Sequence, residues 1–171
     1  SKQPVNRPSA LRFAAHVSAA RPPRVYGSPG TYTVQQFSAI SDGSFRLAMG
    51  ETDGQVEGID LTGVTSLADV ATAVQAAIRA VPDGGPNFAQ AVVTYDAVRA
   101  AFILTGGAEG NAAVQVSAPE EGTDISFLIG WDNPLTIRSA GAVAEPPLES
   151  LTRANQLNDS FGSFSFGSLL P

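Results

Sequence analysis

His16 is the single histidine of the chain, and cysteine is absent, so the inventory of reactive side chains is short. A hydrolytic triad or a histidine metal cage would need that imidazole beside a nucleophile or several further ligands, and a lone histidine reads first as a surface or packed residue. Cysteine nucleophiles, thiolate zinc sites and disulfide staples are excluded by inventory. Carboxylates are more plentiful. Glu51 with Asp53, and Glu120-Glu121 with Asp124, suggest calcium binding or an acid/base pair. None has EF-hand spacing, and closeness in sequence does not set the carboxylate separation a glycosidase needs; they read as solvated turns. The run Gly106-Gly107-Ala108-Glu109-Gly110-Asn111 has the glycine content of a phosphate loop but lacks the Lys-Ser/Thr ending that grips phosphate and magnesium. Its Glu109 would repel the ligand. Glycine here relieves φ restrictions in a hairpin-to-strand connection. No catalytic, cofactor-binding or metal-binding residue is assigned, and no enzymatic activity is expected.

Aromatic side chains are the remaining candidates, because they bring large apolar area to interface centres. Trp131 and the terminal series Phe161, Phe164 and Phe166 are candidate interdomain or intersubunit contacts. Trp131 reads first as core and second as contact. The Phe series alternates with small residues at period two, as a strand would, and its natural covering would lie in a neighbouring domain. Asn158-Asp159-Ser160 is a formal glycosylation sequon that matters only in a eukaryotic secretory pathway.

Composition bounds the class of partner. With 43% hydrophobic and 15% charged residues over 171 positions, the chain can bury a real core. Its 17 Gly and 12 Pro are scattered, which predicts many turns between short strands. Ten Lys and Arg stand against sixteen Asp and Glu, a formal charge of −6. A phosphate backbone would meet net repulsion from this surface, and no cation cluster offsets it, so nucleic acid is not an expected partner. No apolar stretch reaches the roughly 18 residues a membrane helix requires. Leu11 to Ala20 superficially resembles a signal peptide, but Arg12 and His16 interrupt what should be its apolar core. The chain begins with Ser1, which fits a cut or processed piece.

Ala10 to Val17 alternates loosely as a strand would, and Arg21-Pro22-Pro23-Arg24 with Gly27-Ser28-Pro29-Gly30 reads as a linker. Ser44 to Met49 and Gln55 to Leu61, joined by Glu51-Thr52-Asp53-Gly54, form a predicted hairpin. Ser66 and Asp69 have the spacing of a capping box. Behind them Leu67, Val70, Ala71, Val74, Ile78 and Val81 recur at helical spacing, and Pro82 to Pro86 end the helix. Ala89 to Tyr95 and Ala101 to Thr105 form a second predicted hairpin, and Ala112 to Ala118 a further strand. Asp124 to Trp131 reads as a short helix or apolar turn, Leu135 to Ser139 as a closing strand, and Leu148 to Asn158 as a helix. The expected fold is α+β: a mixed sheet of about five strands, built from two hairpins around one amphipathic helix. Residues 31–145 would form this central domain, with 1–30 and 146–171 as flanks belonging to an incomplete neighbouring domain.

The run Gly43-Ser44-Phe45-Arg46-Leu47, then Asp60 through Val70, then Val74-Gln75-Ala76-Ala77-Ile78 resembles the insert domain of sheath proteins from contractile-tailed bacteriophages. Val92 to Asp96, Phe102 to Gly107, and the flanks Pro8 to Phe13, Leu151-Thr152 and Phe161 to Phe164 continue the resemblance. It implies a subunit that surrounds a rigid tail tube, with other sheath subunits and that tube as partners. Contraction would be a rigid-body change between two packings of the lattice. It also implies a virion component made in the bacterial cytoplasm, without cofactor or membrane insertion. The isolated piece would be monomeric or weakly associating, with its two flanks close together. A carbohydrate- or protein-binding adhesin module, using exposed aromatics in a shallow groove, is the alternative.

Overall fold

The computed structural model describes residues 17–150 and 152, and the chain divides into two compact units. One comprises Arg21–Val143; the other comprises Ser1–Ala20 together with Ala144–Pro171. In the first unit the strands are β1 (Arg24–Tyr26), β2 (Gly43–Met49), β3 (Thr52–Ile59), β4 (Val92–Asp96), β5 (Ala101–Thr105), β6 (Val114–Ser117), β7 (Thr123–Asp124) and β8 (Ile137–Ser139). The helices are α1 (Val34–Phe37), α2 (Leu67–Arg79) and α3 (Gly85–Ala89). The α+β class is the one the sequence implied. The strands, however, divide between two sheets, ordered β4-β5-β1-β8 and β3-β2-β6, with β7 pairing parallel to β2. Each predicted hairpin goes to a different sheet. Each hairpin has one apolar face, and facing them across a shared core buries both at once.

Alternation along the strands sets that core. In β2, Phe45, Leu47 and Met49 point inward and are buried, while Arg46 lies on the outer side. The register pairs Phe45 with Val56 and Leu47 with Val116, so three strands present one apolar surface. From the other sheet, Val25 lies opposite Leu104, and Leu104 opposite Val93; all three are buried. Helix α2 packs on both β3 and β4 and bridges the sheets. Its buried residues are Val70, Ala71, Val74 and Ile78. At its start the Ser66 hydroxyl accepts from the Asp69 amide at 3.1 Å, and the Asp69 carboxylate accepts from the Ser66 amide at 2.8 Å, the reciprocal capping the sequence predicted. Gly54 permits the close approach of the helix end, since a Cβ there would lie 2.6 Å from Cγ1 of Val81.

Two local expectations are corrected, and a third, left between helix and turn, is resolved. Arg21 to Gly30 is not a linker: β1 sits inside a sheet between β5 and β8, with Val25 fully buried. Pro23 and Gly27 bound it tightly, so only three residues carry the strand signal. Ala89 does not begin a strand; it ends α3, whose first turn contains Pro86, a position where the missing N–H costs nothing. Residues 125–131 form an apolar turn, with the Ile129 amide donating to Ile125 and the Trp131 amide to Ser126 at 2.9 and 2.8 Å.

The unit's ends meet. The Arg21 amide donates to the Ala142 carbonyl at 2.8 Å and the Ala142 amide returns to Arg21 at 2.9 Å. Within the other unit, the Glu145 amide donates to the Val17 carbonyl at 2.8 Å, and residues 147–150 are helical, at the start of the helix expected over Leu148 to Asn158. The expected strands over Ala10 to Val17 and Phe161 to Phe166 fall, but for Val17, outside the described residues.

Candidate functional site

Three of the five carboxylates singled out from the sequence, Asp53, Glu120 and Asp124, are engaged by the protein itself. Arg46, on the outer side of β2, donates from Nε to both Asp53 oxygens at 3.0 Å and also bonds Glu120. These hydrogen bonds and charges raise the Arg46 pKa, Asp53 contributing most. Asp124 accepts from the Ser126 amide at 2.8 Å, closing the turn before Trp131. Among the described residues, no three His, Cys, Asp or Glu side chains gather as metal ligands. His16 and the sequon lie outside the described residues.

The glycine-rich loop is likewise committed. The Gly106 amide donates to Pro23, the Gly107 amide to Asn87, and the Ala108 amide to the Asn87 side chain, at 2.8, 3.0 and 3.1 Å. Amides spent on protein acceptors cannot cradle a phosphate. Gly107 is needed for packing: a Cβ there would lie 2.3 Å from the Pro86 carbonyl oxygen. The loop thus pins β1 and α3 to the end of β5.

Trp131 is fully buried. Its indole N–H donates to the Phe102 carbonyl at 3.0 Å and its ring meets Phe45 edge-on at 5.6 Å, so it joins one sheet to the other. A side chain without exposed surface has none to give a neighbouring subunit, and the contact reading of Trp131 gives way to the core reading. Phe161, Phe164 and Phe166 lie outside the described residues.

The surfaces missed by sequence reasoning are the two outer sheet faces. On the first sheet, the register sets Ile137 beside Tyr26, Tyr26 beside Ile103 and Ile103 beside Thr94, with Ser139, Arg24, Thr105 and Val92 in the next row. Ile137 is 65% exposed and Val92 43%. Arg99 stacks over the Tyr26 ring at 5.7 Å, and Arg24 donates to the Tyr26 hydroxyl at 3.3 Å. The signal lay in the alternation of Val92 to Asp96 and Ala101 to Thr105, but without β1 and β8 the rows cannot be assembled. The second sheet's outer side carries Asp53, Gln55, Arg46 and Gln115. Beside them lie exposed Glu57 and the 120–122 loop, whose Glu121 carbonyl accepts from Ser44 and Gln55.

The small α+β unit Arg21–Val143 pairs its first residue with its next-to-last, and the other unit takes chain from both sides of it. The chain matches the family described as E217 tail sheath protein gp31, insert domain, over residues 20–143, nearly the bounds of the compact unit Arg21–Val143. It belongs to that family of contractile-tail sheath insert domains, a class of bacteriophage tail structural protein. No curated protein matches the chain.

Proposed function

We propose that this domain projects from the outer surface of a contractile tail sheath and rides on the subunit lattice during contraction, without catalysis of its own. The observation that carries the reading is the pairing of Arg21 with Ala142. A domain entered and left at one point can be carried by a host domain without breaking the host's own packing, and can sit clear of the contacts that polymerise it. Other sheath subunits and the tail tube are then partners of the whole subunit. The subunit would be made in the bacterial cytoplasm and assembled there into the virion. The formal charge of −6 opposes nucleic-acid binding and keeps free copies apart at low concentration.

Electron cryomicroscopy of intact particles tests this. Density fitting residues 21–143 at the outer radius of the sheath is the expected result. The same density against the inner tube would overturn the proposal.

A further inference from the structure

We propose that the two outer sheet faces form a head-to-tail interface between neighbouring copies of this domain, the aromatic face of one docking on the acidic face of the next. This rests on the sheath reading for the local density of copies. Both sheets turn their apolar sides to one core, so their outer sides point away from each other, the arrangement a heterologous, repeating contact requires. The first face presents Tyr26, Ile103, Ile137 and Val92 with the cations Arg24 and Arg99. The carboxylate at its rim, Asp96, accepts from the Val98 and Arg99 amides and lies 3.8 Å from the Arg99 guanidinium. The second face is the reverse: Asp53 and Glu120 hold its one cation, Arg46, and the exposed Glu57, two residues along β3 from Gln55, and Glu121, next to Glu120, add negative charge. A net positive, partly apolar face and a net negative one attract and fix register, while like faces repel. Such a contact is weak between free copies and becomes effective when a lattice holds the domains side by side.

Sedimentation of the chain at millimolar concentration, in low and high salt, tests the pairing. Association in low salt that fades in high salt is expected, because screening shortens the reach of exposed charges. Arg24→Glu with Arg99→Glu should weaken it about tenfold or more, as should Glu57→Lys with Glu121→Lys. An equimolar mixture of the two variants should restore it, since reversed faces then meet reversed faces. Glu109→Lys with Asp83→Lys, at exposed loop positions outside both sheets, changes net charge equally but leaves both faces alone, and should associate at least as well as the original chain. Should a reversal fail to fold by circular dichroism, Arg24→Gln with Arg99→Gln and Glu57→Gln with Glu121→Gln carry the weakening arm of the test, each being expected to lower the association and an unchanged association overturning the pairing. Absence of association in low salt, reversals that leave it unchanged, or a mixture that does not restore it would overturn the pairing. Microscopy reads the radial position separately, so an outward domain without association sinks this interface alone, and a self-pairing domain against the tube sinks only the outward reading.

Discussion

The two sheets are built in different ways from one chain. In the β3-β2-β6 sheet the central pair is a hairpin of adjacent segments, with the helix following directly after. In the β4-β5-β1-β8 sheet the centre is β1, three residues that find partners about 80 and 110 positions further on. The hairpin at the centre of the first sheet is specified by local pattern and turn chemistry, and β6 is added to it from about 70 positions further on. The second sheet holds a local hairpin too, β4-β5, but β1 and β8 join it only because distant segments close over the same core, and these two strands bring the ends of the domain together.

If the two sheets were separable, damage under one would leave the other standing. Val74→Asp, at the buried centre of the bridging helix, is expected to melt both together. An unpaired carboxylate in a packed core costs several kcal/mol, comparable with a domain's whole stability of about 5–15 kcal/mol. Thermal unfolding followed by circular dichroism checks it; an unchanged midpoint would remove the helix from the shared core. Trp131→Ala should follow, at about 3–5 kcal/mol, because it opens a cavity between Phe45 and Phe102 and removes a donor from the Phe102 carbonyl. Denaturant titration measures the loss. Gly107→Ala sharpens the contrast, since it wedges α3 away from the loop that follows β5. Overpacking against the Pro86 carbonyl should cost about 1–3 kcal/mol, and hydrogen exchange should quicken in β1 before β2.

Smaller effects belong to the local half. Ser66→Ala should cost about 1 kcal/mol through the lost cap, read by the same titration. The Asp69 carboxyl is held below its ordinary pKa, first by the Thr65 hydroxyl, then by the Thr65 amide and Ser66. A carboxylate depressed in the folded state contributes stability that is present above its unfolded pKa and lost as pH falls through the folded one. Stability should therefore decline on the acid side of pH 4, the ordinary aspartate range, and Asp69→Asn should flatten that decline. An unchanged acid limb would show that the capping carboxylate does not contribute to it.

What could be read in the sequence follows the same division. The capping box at Ser66 and Asp69, the apolar stripe of α2 and both hairpins depend on spacing within a dozen or so residues; the cap and the helix stand where the pattern put them, and the hairpins within a few residues, Thr52 to Gly54 being strand rather than turn and Ala89 helix rather than strand. Val25 gave no such signal between Pro23 and Gly27, and the pairing of Arg21 with Ala142 is invisible to any local rule. The surfaces fared likewise. Trp131 and the acidic turns were conspicuous by residue type, yet they are absorbed by packing and ion pairing. The Tyr26 and Ile137 row exists only after β1 has joined β5 to β8.

If residues 21–143 are an insertion carried by the sheath subunit, the subunit should do without them, and replacing them there decides the matter. Joining residue 20 to residue 144 through a short glycine-serine bridge should leave a subunit that still polymerises around the tube and contracts, with the outer density gone in electron micrographs. A bridged subunit that is folded but forms no sheath would contradict the account.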